Sequence, residues 1–470
     1  MVFSSTIFLM VFLPLFLLSY YATPQRFRSY IILVASYAFY AWWRVDFVML
    51  FMAVTAFNFF MSKALLKYET YGKKIMLLGV AGNLLTLGYF KYFNFGVDTL
   101  NSLLGYGEDA GITAWSVILP IGISFYIFQA ISYLIDVYRG DAKPADRFID
   151  FAAFIALFPQ LIAGPVIRYK DIADQFSNRT HTWDKFNEGA IRFSMGFCKK
   201  VLIADTLAPI ADAAFALEDP TLAQSWLGIL AYAAQLYFDF SGYSDMAIGL
   251  GLMVGFRFIE NFNHPYTSRS ITEFWRRWHI SLSTWLRDYL YIPLGGNRKG
   301  ARRTYINLVL TMVLGGLWHG ANWTFVLWGA LHGGVMAYER LMNNAGRSAY
   351  MSFLALPITL FVVLIGWVLF RAENVSTAFG LYAGMAGLNG IGFTGDVLWS
   401  VTNFQIFTLL SAYVIVFTSP YWVKNNLMAQ DVSWAAHISM KRQVCVAVLF
   451  TLAVCKLISQ SFSPFLYFQF

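Results

Sequence analysis

The sequence predicts an all-α integral membrane protein, a multi-spanning helical bundle of about 11–13 membrane segments that include re-entrant and interfacial helices. The first observation is composition: of 470 residues, 58% are hydrophobic, 19% aromatic and only 13% charged, whereas soluble domains are roughly half apolar and a quarter charged. The second is patterning, because charge-free runs such as 1–25, 111–135 and 397–423 reach the ~20 residues that cross a bilayer as a helix. These features exclude a disordered chain, a disulfide scaffold and a nucleic-acid-binding module, and leave a transporter, channel, receptor or membrane enzyme.

Charge gaps and turn residues define the candidate spans. In chain order these lie at 2–22, 29–43, 47–65, 75–95, 115–138, 148–164, 190–210, 224–256, 304–320, 323–338, 350–370, 402–423 and 443–460. They form three regions, with N-terminal membrane helices at 1–110, a central core with re-entrant and interfacial segments at 111–345, and C-terminal membrane helices at 346–470. The first run has no basic segment before it, so we expect a retained helix rather than a signal peptide.

Loop charges predict the orientation. The stretch 63–74 has four lysines against one glutamate, and 257–303 has nine basic residues against three acidic ones, so both are expected in the cytoplasm by the positive-inside rule. Glu108 and Glu218 lie in loops without a balancing cation and are expected outside. The formal net charge of +8 follows from these loops and does not indicate a nucleic-acid partner.

Two apolar stretches conflict with this topology because both of their flanks are basic. Pro159 and Pro165 interrupt the first, at 151–167, while Asp239, Gly242 and Asp245 interrupt the second, at 237–256. Irregular backbone at membrane depth is tolerated where it is buried in protein or lines a wet cavity. We therefore predict re-entrant segments around a polar interior, which a broken helix at 120–126 also lines.

The charge-free stretch 304–338 contains two histidines, His319 and His332. As one helix it would extend roughly 50 Å, well beyond a ~30 Å hydrocarbon core, so it is expected to fold back at the glycine-rich segment 315–322. This places His319 deep in the membrane. Ionisable groups at that depth are costly and usually functional, which makes His319 a candidate base or proton relay, whereas packing is slightly favoured for His332.

The segment 270–288 predicts one interfacial helix, capped by Ser270 or Thr272. Its aromatic face would carry Trp275, Trp278 and His279, with Arg276 and Arg277 on the opposite face. One interpretation is membrane anchoring by tryptophan with arginine on lipid phosphate. The other is that His279 turns inward while the arginines attract an anionic donor such as a coenzyme pyrophosphate, with help from the basic residues that follow. The further candidates for donor contact are Asn297, Arg298 and Lys299.

The segment 235–245 is unusually polar for its apolar surroundings. Buried carboxylates must be paired or hydrogen-bonded, so Asp239 or Asp245 is expected to cap a helix end or to pair with Arg276 or Arg277. A structural role is favoured over direct chemistry. The candidate substrate-binding residues of the segments 235–245 and 315–322 are Tyr237, Asp239, Ser241, Asp245, Trp318 and Asn322. The three cysteines lack metal-ligand spacing, and we predict no metal site.

Several of these segments, in this order, resemble the membrane-bound O-acyltransferase family, and within it the bacterial alginate-type O-acetyltransferases. The matching segments are Tyr40-Ala41-Trp42-Trp43-Arg44, Leu119-Pro120-Ile121-Gly122-Ile123-Ser124-Phe125-Tyr126, Ala163-Gly164-Pro165, 237–245, 274–283 and 315–320. The resemblance implies that His319 is the catalytic histidine and His279 the family's second polar position, inside a helical bundle around a central tunnel. It also implies a multi-pass protein of the bacterial inner membrane.

The same resemblance implies a substrate pair and partners. The expected donor is a cytoplasmic thioester, acetyl-coenzyme A, and no cofactor is bound permanently. The acetyl group would be relayed across the membrane for periplasmic SGNH-type acetyltransferases and other polysaccharide-modification proteins, with alginate as the acceptor polymer. The remaining partner is membrane lipid, and no nucleic acid is expected.

Two alternatives stay open. Within the family, the acceptor could be another envelope polymer, through D-alanyl transfer to teichoic acid, which requires a docked carrier protein, or through acetylation of cellulose. Outside it, the polar broken helices and the histidine pair also suit a proton-coupled transporter of a polyol or a lipid-linked sugar. Transporters of that kind often carry inverted repeats, and the sequence shows none.

Overall fold

The computed structural model describes residues 2–106, 111–112, 115–161, 164–393, 401–422, 440–459 and 465–466. Within these ranges the chain is helical and contains no β-strand, which confirms the predicted all-α class. The chain separates into two compact units, one of residues 1–190 and 247–258 and the other of residues 191–246 and 259–470. The predicted division at residues 110 and 345 stays a prediction.

The described residues of the N-terminal part of the chain form ten α-helices: α1 (Leu13–Ala22), α2 (Arg28–Ala41), α3 (Asp46–Lys67), α4 (Gly72–Leu87), α5 (Phe93–Leu104), α6 (Ile123–Arg139), α7 (Phe148–Ala156), α8 (Phe158–Leu161), α9 (Tyr169–Ser177) and α10 (Trp183–Cys198). The later part forms α11 (Asp205–Phe215), α12 (Leu222–Met253), α13 (Ile271–Arg277), α14 (Ile280–Leu286), α15 (Ala301–His319), α16 (Trp323–Asn344), α17 (Ala355–Arg371), α18 (Val375–Met385), α19 (Asn403–Trp422) and α20 (Met440–Ser459). Short π-helical turns extend several of these, at Phe8–Phe12, Gly88–Tyr92, Lys199–Ala204 and Arg287–Tyr291.

Four helical stretches of the described residues are long and apolar enough to cross a membrane, and they coincide with predicted spans. They are Asp46–Lys67, Glu69–Leu103, Asn403–Pro420 and Met440–Ser459. Two shorter apolar helices, Phe8–Ala22 and Ala355–Arg371, cover two further predicted segments. Glu108, which the topology prediction uses, and Ala163 of the third family motif lie outside the described residues.

The first unit is held together by polar contacts between apolar helices. Asn58 on α3 and Asn83 on α4 exchange two side-chain amide hydrogen bonds, of 3.0 and 2.7 Å, and both are buried. The hydroxyl of Tyr133 on α6 donates to Ser62 on α3 over 2.9 Å. Buried polar groups of this kind fix one arrangement of helices that apolar contact alone leaves free to slide.

The predicted break at 151–167 is present: α7 ends at Ala156, α8 ends at Leu161, and residues 164–168 are not helical. The predicted helix break at 120–126 becomes a helix start, because Gly122 has a left-handed backbone with φ of 74° just before α6. That conformation is open to glycine at no steric cost.

The predicted interruption at 237–256 was wrong. Helix α12 runs unbroken through Asp239, Gly242 and Asp245 as 32 residues. The two carboxylates have cationic partners on the neighbouring segment, described below, so the helix keeps its backbone hydrogen bonds. Gly242 serves close packing instead, because a Cβ there would lie 2.7 Å from the carbonyl oxygen of Gly196.

The core of the second unit is a cluster of buried aromatic side chains. Trp278 lies 5.0 Å from Trp367 and 5.6 Å from Phe274 between ring centroids. The hydroxyl of Tyr266 accepts a hydrogen bond of 3.0 Å from the Trp367 indole and donates one of 2.8 Å to the carbonyl of Ala233. Large rigid rings with few rotamers build a firm wall, and the candidate site lies against this wall.

Candidate functional site

Helices α15 and α16 form the predicted hairpin, with the turn at residues 320–322. Glycines let the two backbones approach: a Cβ on Gly316 would lie 2.2 Å from the carbonyl oxygen of Phe325, and one on Gly329 would lie 2.4 Å from that of Met312. Asn322 begins α16 as its N-cap, accepting from the Thr324 amide over 3.0 Å. Its side chain thus has a structural contact at the turn that follows His319.

His319 is the last residue of α15 and is buried, with 5% of its surface exposed. Its imidazole touches three aromatic rings edge to face, with centroid distances of 5.0 Å to Trp318, 5.2 Å to Trp328 and 5.2 Å to Phe370. His319 therefore lies at the hairpin bend, as the sequence predicted, and the structure adds that aromatic rings surround it.

His279 occupies a sharp bend between α13 and α14. The single interfacial helix predicted for 270–288 was wrong, because α13 ends at Arg277 and α14 begins at Ile280. His279 has a left-handed backbone with φ of 46°, an uncommon and strained state for a residue with a side chain. The break lets Trp278 enter the aromatic cluster and buries the His279 ring completely. The predicted cap is present, with Ser270 accepting from the Glu273 amide.

The hydrogen bonds of His279 fix its neutral tautomer. The Oδ1 atom of Asn261 accepts from the backbone N–H of Ser281 over 3.2 Å, which orients the amide, and the same oxygen lies 3.0 Å from Nδ1 of His279. A carbonyl oxygen only accepts, so Nδ1 carries the hydrogen in the neutral ring. Nε2 then carries the lone pair and can accept a proton.

Trp318 brings the two histidines into one site. Its ring centroid lies 6.3 Å from that of His279 and 5.0 Å from that of His319. The predicted residues His279, Trp318 and His319 therefore lie together, although they come from two separate stretches of sequence.

A cavity of about 770 Å³, here called the basic cavity, lies beside this site in the second unit. Four arginines line it: Arg269, Arg276, Arg287 and Arg340. Of the predicted donor-contact residues, Trp275, Arg276 and Asn297 line it, whereas Arg277, Trp278, Arg298 and Lys299 are not among its lining residues. Trp275 also touches Trp328, with centroids 5.3 Å apart, so one layer of aromatic rings joins the cavity to His319.

Glu339 is a functional candidate that the sequence did not reveal. It is buried, and its carboxylate accepts from the backbone amides of Ile271 and Thr272, from the Thr272 hydroxyl and from the Tyr350 hydroxyl, over 2.6 to 2.9 Å. These bonds anchor the start of α13, which presents Trp275 and Arg276 to the cavity. Glu339 and Arg340 stand just after a predicted span, where a charge ordinarily indicates only a helix end, so no sequence signal set them apart.

The 235–245 segment lies at a second, smaller cavity of about 200 Å³, lined in part by Tyr237, Ser241 and Asp245. The predicted pairing of these aspartates with Arg276 or Arg277 was wrong. Asp245 pairs with Arg192 and Lys199, over 2.8 and 2.6 Å, and Arg277 pairs with Glu273.

Asp239 does not line this smaller cavity. It pairs with Lys200 over 2.8 Å and accepts from the Leu466 amide over 3.0 Å. These two contacts use both carboxylate oxygens, and the structural role that the sequence favoured stays a prediction.

A buried histidine pair beside a basic cavity, inside an all-α membrane protein, fits a membrane-embedded group-transfer enzyme. The profile of the membrane-bound O-acyltransferase family matches residues 29–376, and the chain belongs to that family. It is an O-acyltransferase of the membrane.

The chain is similar over its whole length to proteins named probable alginate O-acetylase. It is 53% identical to that of Azotobacter vinelandii and 49% identical to that of Pseudomonas aeruginosa, each with 100% of both chains covered. It is also 37% identical to the peptidoglycan O-acetyltransferase of Helicobacter pylori, over 83% of this chain and 81% of that protein.

Proposed function

We propose that this enzyme takes an acetyl group from a cytoplasmic thioester, acetyl-coenzyme A, and relays it across the bacterial inner membrane for O-acetylation of an exopolysaccharide, alginate. The observation that carries the proposal is the position of His319. It lies at the end of α15, one aromatic ring away from Trp275, which lines a cavity with four arginines.

The residues of the basic cavity fit the donor's chemistry. Arginine makes charge-assisted, often bidentate bonds to phosphate, and a coenzyme A thioester carries its phosphates at one end and its acyl group at the other. The cavity volume of about 770 Å³ lies within the range of pockets that hold small molecules, about 300–1,000 Å³. Arg276 and Arg340 would hold the phosphates, while the acyl end points toward Trp275 and Trp328.

The chemistry at His319 follows from its environment. A ring nitrogen of neutral His319 takes the proton of an acceptor hydroxyl as its oxygen bonds to the thioester carbonyl carbon. The carbon–sulfur bond then breaks, and the departing thiolate takes up the proton from the imidazolium. His279, with its lone pair on Nε2, assists proton movement beside Trp318. Donation of a hydrogen bond to the acyl carbonyl would require its protonated form.

The acceptor is proposed from the relatives. Proteins of 49–53% identity over the whole chain carry the name alginate O-acetylase, which supports alginate over the peptidoglycan named for the 37% relative. In this scheme the acetyl group passes to a periplasmic SGNH-type acetyltransferase, which with other polysaccharide-modification proteins would place it on the polymer.

Orientation supports this direction of transfer. The basic stretch 257–303 includes Arg269, Arg276 and Arg287 of the basic cavity, and positive loops stay in the cytoplasm. A straight helix from Ala301 to His319 rises about 27 Å at 1.5 Å per residue, so the histidine would lie toward the periplasmic side of a multi-pass protein.

The test uses the full chain purified into lipid nanodiscs with acetyl-labelled acetyl-coenzyme A. We expect thiol release and label transfer to an added periplasmic fraction that contains the alginate machinery. Label appearing on peptidoglycan but not on alginate would correct the acceptor. Uptake of a labelled polyol into proteoliposomes without any thiol release would favour the transporter and overturn the proposal.

A further inference from the structure

The smaller cavity, of about 200 Å³, is lined by a group of four charged side chains: Arg192, Lys199, Asp245 and Glu260. Arg192 pairs with Asp245 over 2.8 Å and with Glu260 over 2.6 Å, and Lys199 pairs with Asp245 over 2.6 Å. Two cations and two carboxylates leave the group without net charge. Ionisable groups among membrane helices are costly and usually functional, and the acetyl transfer proposed above uses none of these four.

One cation and one carboxylate of the group are the more exposed members. The side chains of Lys199 and Glu260 are 28% and 26% exposed, whereas those of Arg192 and Asp245 are 12% and 14% exposed. Lys199 also begins the π-helical turn Lys199–Ala204, and such turns are frequent at functional sites. The cavity therefore presents one positive and one negative group to its occupant.

Tyr237 adds an open hydroxyl to the same cavity. Its ring packs against Tyr266 and Phe262, with centroid distances of 5.4 and 6.1 Å, and the residue is half-buried. The hydroxyl makes no hydrogen bond within the part of the chain that the structure describes. The hydroxyls of Ser241 and Ser244 in the same wall are sealed in, whereas that of Tyr237 is not. It can therefore bind an occupant of the cavity.

The cavity borders the lipid-facing surface at one end of a membrane span. Its wall includes Ile415 and Ser419 of α19, which belong to the candidate span Asn403–Pro420. Ile415 is 44% exposed and lies next to the exposed Val414. Ser419, which is hydrogen-bonded to His264 over 2.8 Å, is one residue from the end of the span. The polar part of the cavity therefore lies at the depth of lipid headgroups, just outside the hydrocarbon core.

We propose that this cavity binds the headgroup of a zwitterionic phospholipid, with the phosphate on Lys199 and Tyr237 and the ammonium group on Glu260. Hydrogen bonds in which one partner is ionised are the strong ones. A site without net charge favours a ligand of both signs over a net anion, because like charges brought together cost several kcal/mol.

The size of the cavity fits a headgroup and not a whole lipid. Its volume of about 200 Å³ lies below the range of about 300–1,000 Å³ for sites that enclose a small molecule. The headgroup would enter the cavity while the acyl chains lie outside, along the exposed apolar face of α19. The predicted topology places Glu260, in the basic stretch 257–303, on the cytoplasmic side, so the lipid would come from the cytoplasmic leaflet.

The site is joined to His279 by three consecutive residues. Glu260 and Phe262 line the cavity, and Oδ1 of Asn261, between them, lies 3.0 Å from Nδ1 of His279. A headgroup bound to Glu260 would therefore steady the segment that orients His279. The inference goes beyond the proposed acetyl transfer, because it assigns a lipid site that takes no part in the chemistry.

The test measures lipid retention by the full chain, purified in a mild detergent, in native mass spectrometry. Phosphatidylethanolamine and phosphatidylglycerol with identical acyl chains are added in equal amounts, and we expect the native protein to retain one phosphatidylethanolamine in preference. Tyr237→Phe removes only the open hydroxyl. It should lower the affinity for phosphatidylethanolamine about tenfold, as loss of one hydrogen bond to a charged group can do, without lowering the unfolding temperature. Tyr30→Phe is the matched control, because Tyr30 is exposed and does not line the cavity.

A second variant tests the charge balance. Glu260→Gln keeps the shape of the side chain and leaves the cavity with a net positive charge, so its preference should shift toward phosphatidylglycerol. Equal retention of phosphatidylethanolamine by the native protein and Tyr237→Phe, or an unchanged preference in folded Glu260→Gln, would overturn the inference. Equally tight binding of glycerophosphoethanolamine, which lacks acyl chains, would make this a site for a soluble metabolite and overturn the lipid assignment. These measurements use no thioester, so their outcome is independent of the proposed function.

Discussion

The indole of Trp328 meets the imidazole of His319 edge to face, with ring centroids 5.2 Å apart and an interplanar angle of 84°. Trp328 is 1% exposed and His319 is 5% exposed, so neither ring can turn without displacing the other. A catalytic base has to be held within hydrogen-bond reach of the proton that it removes. The contact therefore positions His319 through α16, the second helix of the hairpin.

Replacing His319 with glutamine is expected to lower acetyl transfer by roughly 10²- to 10⁴-fold, the usual effect of losing a positioned general base. Glutamine keeps much of the volume and the hydrogen-bonding capacity, so a packing residue would tolerate it. The rate is measured as thiol release from acetyl-coenzyme A in nanodiscs. His264→Asn is the control, because asparagine tolerates the left-handed backbone at that position and can keep the bond to Ser419. Near-native turnover by a folded His319→Gln variant would show that His319 is not the general base, and His279 would then be the candidate for that role.

Replacing Arg276 with glutamine is expected to raise the KM for acetyl-coenzyme A by roughly 10- to 100-fold while kcat changes little. A hydrogen bond to a charged group contributes about 1.5–3 kcal/mol, and each 1.4 kcal/mol is tenfold in affinity. Arg442→Gln is the matched control, since Arg442 is an exposed cation that does not line the cavity. An unchanged KM in a monodisperse Arg276 variant would leave only lipid anchoring for this side chain.

Alanine at Gly329 is expected to damage the hairpin, while alanine at Gly334 on the same helix should be neutral or slightly stabilising. A Cβ at Gly329 would lie 2.4 Å from a backbone carbonyl of α15, whereas at Gly334 no atom lies within 4 Å. Overpacking against backbone costs about 1–3 kcal/mol, while glycine to alanine in a helix gains up to about 1 kcal/mol. The unfolding temperatures of the two variants in detergent measure these changes in stability. Equal unfolding temperatures for the two variants would show that α15 and α16 can move apart without a loss of stability.

The sequence alone predicted the hairpin because the bilayer limits helix length and the glycines mark the bend, both of which are local signals. It also predicted the broken segment after α7 and the Ser270 cap. It did not predict the bend at His279, because burial of Trp278 among distant rings decides that backbone conformation. The partners of Asp239 and Asp245 depend on which helix lies beside α12, and Glu339 acquires its role from residues 67 and 68 positions away. Such contacts leave no pattern in the local sequence.

Acid is expected to destabilise the first unit through His181. Burial, together with the nearby charges of Arg28 and Arg179, lowers the pKa of His181 from 6.5 to about 4. The folded protein therefore binds this proton more weakly than the unfolded chain, so the contribution to stability is fully present above about pH 6.5 and is lost as the pH falls toward 4. Unfolding temperatures of the native protein and of His181→Gln, measured from pH 7.5 to 4.5, should converge in acid. A constant difference across that range would contradict the assignment.

The topology predicts that Lys73 and Arg298 face the cytoplasm and that Glu218 faces the periplasm, because basic loops resist translocation. All three side chains are exposed, so single cysteines placed there are open to reagents once the native Cys198, Cys445 and Cys455 are replaced. In spheroplasts an impermeant maleimide should label Glu218→Cys at once, and Lys73→Cys and Arg298→Cys only after permeabilisation. Position 298 is the decisive one, since it shares the stretch 257–303 with three arginines of the basic cavity. Labelling there in intact spheroplasts would put that cavity on the periplasmic side, where acetyl-coenzyme A is not supplied, and would exclude it as the donor site.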